Sequence, residues 1–218
     1  MHNNLNNLQE IIKEIHSKDN NQNESVKIIA VSKTFSMEKI MPLIESGHIH
    51  FGENKVQEAA GKWVSLKEQN KNLKLHMIGK LQTNKVKIAI PLFDYIHSLD
   101  SLKLAEKISI EQKKKDKKLK IFIQVNIGNE HQKSGIDVKD VEEFYKTCFH
   151  RLNLDIIGLM CIPPNDENVN KYFIQMKNLN DSLRLKELSM GMSSDYLEAA
   201  KHGSTYVRVG SKIFGKRA

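Results

Sequence analysis

The stretch Val26-Lys27-Ile28-Ile29-Ala30-Val31-Ser32-Lys33 reads as a strand of β-branched and small apolar residues that ends, at an amine, where a turn begins. Seven further runs of the same kind follow: His48 to Glu53, Lys74 to Gly79, Tyr95 to Leu99, Lys120 to Ile127, Leu154 to Cys161, Glu187 to Met192, and Thr205 to Gly210. Between them the apolar residues switch to helical spacing. Val56, Ala59, Ala60, Trp63 and Leu66 do so after the second run, and Leu102, Leu104, Ala105 and Ile108 after the fourth. Asp100 and Asp137 stand where helix N-caps belong. Eight uninterrupted β–α units predict a parallel sheet closed into a single (β/α)₈ TIM barrel, preceded by an N-terminal helix. An open doubly wound sheet is the alternative, but Val31-Ser32-Lys33-Thr34 stands where its G-x-G-x-x-G turn would be.

The 218 residues suit one large core, and no composition break, repeat or Pro/Gly/Ser linker divides them, so one domain over residues 1–218 is expected. The Asn-rich stretch Asp19 to Glu24 reads as a loop from the leading helix to the barrel. No apolar run approaches the roughly 20 residues of a membrane span. The opening Met1-His2-Asn3-Asn4-Leu5-Asn6-Asn7 lacks the basic start and apolar centre of a secretory signal, which predicts a soluble, cytoplasmic protein without membrane partners. Cys148 and Cys161, in a predicted helix and a predicted strand without C-x-x-C spacing, read as inert core thiols. The nine histidines show neither H-x-x-x-H spacing nor clustering with Cys or carboxylates, so no metal is expected. Much of the net charge of +8 comes from Lys113-Lys114-Lys115-Asp116-Lys117-Lys118, where solvated cations complement a helix C-terminus. Without an aromatic platform that run does not predict nucleic-acid binding, although the basic balance favours an anionic ligand.

Side chains alternate along a strand, so placing Lys33 inside the barrel also places Val31 and Ile29 inside. In the last strand, Arg208 inside puts Tyr206 below it and Gly210 above it, with Val207 and Val209 outward. In the fifth, Gln124 and Asn126 share the polar inner face while Ile123, Val125 and Ile127 pack outward. Ligands of parallel α/β proteins bind at the carboxyl ends of the strands, which is where Lys33 lies. A lysine forms an imine only as the free amine, which requires its pKa to fall from about 10.4 toward roughly 7 to 8 through desolvation and nearby cations. Arg208 is a candidate for that cation. Taken alone, Lys33 reads more readily as a solvated strand-end residue.

Phosphate binding calls for backbone N–H groups and small side chains near helix starts. Ser189-Met190-Gly191-Met192-Ser193-Ser194-Asp195 and Gly210-Ser211 both supply them, although each also suits an ordinary turn. Phe51-Gly52-Glu53-Asn54 and His76-Met77-Ile78-Gly79-Lys80-Leu81-Gln82 bring polar groups to the ends of the second and third strands. Asn54 and His76 are candidate contacts for a cofactor ring, and Glu53 suits the start of a helix.

In order along the chain stand Ala30-Val31-Ser32-Lys33, Phe51-Gly52-Glu53-Asn54 with Gln57-Glu58, His76-Met77-Ile78-Gly79 with Leu81-Gln82 and Asn84-Lys85, Gln124-Val125-Asn126, and Gly158-Leu159-Met160. Leu188-Ser189-Met190-Gly191-Met192-Ser193 then leads through Gly203-Ser204-Thr205 and Val207-Arg208-Val209-Gly210 to Ile213-Phe214-Gly215. This set closely resembles the pyridoxal-phosphate homeostasis protein family over nearly the whole chain. Met77 and Lys80 are small departures within the third-strand motif.

The resemblance implies a cytoplasmic barrel, similar to the barrel half of the alanine racemases, that binds pyridoxal 5'-phosphate (PLP) as a Schiff base on Lys33. By that similarity Arg208 approaches the pyridine nitrogen, and Ser193, Gly210 and Ser211, with backbone from Gly191 and Met192, hold the phosphate; Ser189 is a further cofactor-binding candidate. Asn54 and His76 complete the pocket. An arginine at the pyridine nitrogen disfavours its protonation and weakens the ring as an electron sink. The chain moreover ends at Ala218, right after the barrel, without the β-rich domain that supplies a second acid/base group in the similar racemases. No catalytic residue is therefore expected. The expected protein is a monomeric, non-enzymatic carrier serving vitamin B6 and amino-acid homeostasis, with PLP-dependent apoenzymes as partners. A PLP-dependent amino-acid racemase or lyase is the alternative.

Overall fold

A computed structural model describes residues 3–18, 26–130, 132–166 and 168–216. All eight expected strands form, and all pair in parallel. They are β1 (Lys27–Val31), β2 (His50–Glu53), β3 (Lys74–Met77), β4 (Tyr95–Leu99), β5 (Lys120–Asn126), β7 (Asp155–Cys161), β8 (Glu187–Met192) and β9 (Tyr206–Val209). A two-residue strand not read from the sequence, β6 (Ile136–Asp137), hangs on β5. The order β4-β3-β2-β1-β9-β8-β7-β5 is closed by pairing of β4 with β5, which makes a (β/α)₈ barrel and excludes the open sheet.

Closure follows from burial on both faces of the strands. Outward residues such as Ile28, Ala30, Phe51, Ile121, Ile123, Val207 and Val209 pack under the helices in the larger core. Inward Ile29, Tyr95, Phe122, Met160 and Tyr206 fill the barrel itself. Each aliphatic side chain so buried contributes about 1.5–3 kcal/mol. The expected alternation holds for β1, β5 and β9, and Tyr206 is 2 % exposed beneath Arg208.

The outer ring comprises α2 (Met37–Glu45), α3 (Val56–Gln69), α4 (Val86–Leu92), α5 (Leu102–Lys115), α6 (Val141–Lys146), α7 (Asn170–Ser182), α8 (Tyr196–Lys201) and the single turn α9 (Ser211–Phe214). The leading helix α1 (Asn3–Lys18) buries Leu8, Ile11 and Ile15 against α2, α8 and α9. The Asn-rich stretch Asp19 to Glu24 lies outside the described residues. Among the described residues no helix is long and apolar enough to cross a membrane.

Details at helix ends differ from expectation. Ser101, not Asp100, caps α5, its Oγ accepting from the Leu104 N–H at 3.4 Å. Asp137 precedes a 3₁₀ turn and makes no capping bond. Leu102 is 44 % exposed because α5 turns its first residue outward. The lysine run stands at the end of α5, but Lys117 is not solvated with the rest. It folds back to donate to the carbonyls of Pro91 (3.0 Å) and Phe93 (2.9 Å), and burial lowers its pKa.

Candidate functional site

Pairing between β1 and β2 ends at Val31 and Gly52, and the chain then turns. The Phe35 N–H donates to the Ser32 carbonyl at 3.2 Å, with Thr34 at φ 67° inside the turn and half-buried Lys33 next to it. The turn is clamped from behind. The Thr34 N–H donates to Glu58 Oε1, while Lys62 Nζ donates to both the Ser32 carbonyl and Glu58 Oε1 at 2.9 Å. Ser32 Oγ donates to Glu53 Oε1 at 2.7 Å, and the same oxygen accepts from Trp63 Nε1 at 3.0 Å and pairs with Lys62 at 2.7 Å. Glu53 is 0 % exposed. It is the last residue of β2 and not the start of a helix; sharing the outward parity of Phe51, it falls between the strand and α3 and ties the lysine-bearing turn to both.

Across the β1–β9 pair, where Ile29 is in register with Arg208, the arginine points into the barrel and is 5 % exposed. Nη1 donates to Ser189 Oγ at 2.7 Å and Nη2 to the Cys161 carbonyl at 2.8 Å. Among the described residues no carboxylate forms an ion pair with it. A buried cation held only by neutral acceptors keeps its charge for whatever enters the mouth.

The third element is the corner where β8 and β9 end. Register slips between Ser189 and Met192, and Gly191 takes φ +90° so closely against α8 that a Cβ there would stand 2.5 Å from Ala199 Cβ. Beyond the kink, the N–H groups of Gly210 and Lys212 converge on Ser193 Oγ at 3.2 and 3.5 Å. Two amides aimed at one oxygen form an anion-binding geometry. Ser211 is exposed at the start of α9. Asn54, just after β2, is half-buried and lines a cleft with Gln57, Met77, Gly79 and Gln82 at the same end of the barrel.

Lys33, Ser193, Arg208, Gly210 and Ser211 thus lie at the ends of the three neighbouring strands β1, β9 and β8, with Asn54 just past the end of the next strand, β2. Three of the expected contacts have their polar atoms engaged within the protein. Ser189 has no exposed surface, and its Oγ is occupied by Arg208 and by His97 Nδ1 at 2.9 Å. His76 is equally buried, with Nε2 bonded to His50 and Nδ1 to His97. The Met192 N–H donates to Asp195 Oδ1 at 2.6 Å, which turns it into its own loop. Ser189 and His76 stand behind Arg208 instead of on the pocket surface. Sequence reading missed His50, His97 and the buried role of Glu53. For the histidines a signal existed, since His50, His76 and His97 each occupy an inward position of successive strands. Cys148 and Cys161 are buried, and burial pushes both thiols up to about 12, as inert core groups require.

This fold and this mouth define a class: residues 4–218 match the family described as alanine racemase, N-terminal domain. Within that class the chain belongs to the pyridoxal phosphate homeostasis protein family. It is 35 % identical over 224 residues to the pyridoxal phosphate homeostasis protein of Haemophilus influenzae, covering 98 % of this chain and 94 % of that one. Its identity to the protein of the same name from Aquifex aeolicus is 38 % over 200 residues, covering 88 % and 87 %. The fold superposes on PipY of Synechococcus elongatus with PLP bound at a TM-score of 0.83 and 34 % identity, covering 94 % and 100 % of the two chains.

Proposed function

We propose that this chain binds PLP covalently through Lys33 and acts as a non-enzymatic carrier and buffer of the cofactor, supporting vitamin B6 and amino-acid balance. The observation that carries the reading is Arg208, a buried guanidinium without a carboxylate ion-pair partner among the described residues, on the strand paired with the one that leads into Lys33. The donor set fits the ligand. The Gly210 and Lys212 amides and the Ser193 hydroxyl suit a phosphate, Arg208 suits a ring nitrogen with a free lone pair, and Lys33 suits an aldehyde.

PLP supplies an aldehyde carbon that condenses with a primary amine, releasing water. The chain's own residues position that event. Glu53, Lys62 and Glu58 fix the turn that carries Lys33, so the amine is presented from a rigid base. Arg208 donates and has no proton to accept, which leaves a facing ring nitrogen unprotonated and restrains carbanion chemistry. Tyr206, lying deep beneath Arg208 with its phenol pKa raised by burial, is poorly placed to serve as a second acid/base group. In this reading the chain works in the cytoplasm as a monomer and passes PLP to apoenzymes.

The test joins two readouts. Borohydride reduction of PLP-loaded protein followed by peptide mapping is expected to place the label on Lys33, and Lys33→Ala is expected to lose the visible absorbance. Equal PLP retention with an unchanged band in the variant would overturn the proposal. Incubation with amino acids in deuterium oxide is expected to give no label at Cα. Lys33-dependent incorporation at catalytic rates would instead establish the racemase or lyase reading.

A further inference from the structure

Beneath the candidate site, three imidazoles run in single file through the barrel. His50, half-buried in β2, bonds through Nδ1 to Nε2 of His76 in β3 at 3.0 Å. His76 Nδ1 meets Nε2 of His97 in β4 at 2.9 Å, and His97 Nδ1 meets Ser189 Oγ in β8 at 2.9 Å. Ser189 Oγ is the oxygen that accepts from Arg208 Nη1. We propose that His50, His76, His97 and Ser189 form a polarised hydrogen-bond chain, fixed in one direction by Arg208, that holds this guanidinium aimed at the mouth without neutralising it.

The direction follows from donor chemistry. A guanidinium only donates, so Ser189 Oγ accepts from Arg208 and its own proton must go elsewhere. Among the described residues the other polar atom bonded to Ser189 Oγ is His97 Nδ1. The Ser189 hydroxyl therefore donates to His97 Nδ1, which places the His97 proton on Nε2. His97 Nε2–H then donates to His76 Nδ1, and His76 Nε2–H to His50 Nδ1. All three rings are neutral Nε2–H tautomers, and His50 Nε2–H ends the chain on the side away from Arg208. Reversing the order would leave the buried Ser189 proton without an acceptor, at a cost of about 1–3 kcal/mol.

The rings are also held against flipping. Tyr95 stacks on His76 with centroids 4.2 Å apart and planes 14° apart, and Phe122 stacks on His97 at 4.3 Å and 22°. Each link presents the negative end of its dipole toward Arg208, and successive bonds polarise one another. A carboxylate in that place would hold the arginine equally well but cancel its charge. A neutral chain leaves the positive charge facing the ligand. The cationic side chains around the row, Arg208, Lys27, Lys67 and Lys74, outnumber Asp94, which agrees with neutral rings: burial first, then the neighbouring imidazoles (His48 among them) and these cations, lowers the pKa of His50, His76 and His97.

The functional consequence rests on the PLP reading; the tautomers do not. In ¹⁵N–¹H spectra of histidine-labelled protein without PLP, all three residues are expected as neutral Nε2–H tautomers from pH 7 down to about pH 5. An Nδ1–H tautomer or an imidazolium at any of them in that range would overturn the proposal. His97→Gln preserves the polarity, since its amide oxygen accepts from Ser189 and its NH₂ donates to His76. It is expected to bind PLP within about twofold of the parent, whereas His97→Leu binds at least about tenfold more weakly and leaves His76 a mixture of tautomers. Glutamine and leucine variants that bind alike would also overturn it. If the unaltered protein bound no PLP, the cofactor reading would fall while the spectra still decided the chain; if His97→Leu did not fold, the spectra of the unaltered protein decide alone.

Discussion

Glu53 shows how one residue reaches the site through others. Its Oε1 gathers Ser32, Trp63 and Lys62, and its Oε2 is buried without a partner among the described residues. Removing the carboxylate orphans two buried donors and unpins the turn that presents Lys33. Glu53→Ala is therefore expected to lower stability by about 2–3 kcal/mol, read as a shift in the urea midpoint, and to weaken PLP uptake. Glu53→Gln, whose amide oxygen still accepts from Trp63, is expected to lose less. Equal losses in the two variants would mean that the charge alone matters. None of this is visible in Phe51-Gly52-Glu53-Asn54 as a string, where a glutamate before a helix reads as a dipole partner. Strand parity alone could have turned it toward Trp63.

At the scale of the element, the strands were legible because β-branched runs separated by helical spacing leave little choice of period. Their ends were less so. β1 stops at Val31, not Lys33, because its pairing with β2 ends at Gly52 and the freed backbone closes a turn on Ser32. The N-cap fell on Ser101 beside Asp100 because two capping residues stand in sequence and only backbone geometry selects one. β8 is the element most exposed to a small change. Gly191→Ala would force a side chain into a positive-φ position and against Ala199 of α8. The expected cost is about 1–3 kcal/mol in thermal unfolding, with PLP affinity falling because the kink leads into Ser193. Unchanged affinity would show that the phosphate corner is set by α9 alone.

For the whole molecule, the buried histidines make stability depend on pH. Burial lowers His48 and His50 to about 4, and lowers His76 and His97 well below the ordinary value. With each folded pKa below the unfolded one, the unfolded chain binds more protons between about pH 4 and 6.5, so stability falls as pH drops through that window. Each histidine contributes a loss of up to about 1.4 kcal/mol for each pH unit below 6.5. Urea midpoints measured from pH 7.5 to 5.5 are expected to decrease steadily. A flat profile would mean that these rings are already charged in the folded state.

The residue order by itself determined the barrel, the inward faces of β1, β5 and β9, and the motifs that gather at one mouth, because alternation and helical periodicity are local and repeat eight times. Tertiary structure alone decided which polar groups touch the mouth and which stand behind it. Ser189 and His76 carry the right chemistry at the right strand positions, yet closure of the barrel brings β2, β3, β4 and β8 to face one another across its interior and uses up their hydrogen-bonding atoms. His97 and Ser189, which meet across the barrel, stand 92 positions apart in the chain, and no spacing rule along the chain reaches that far.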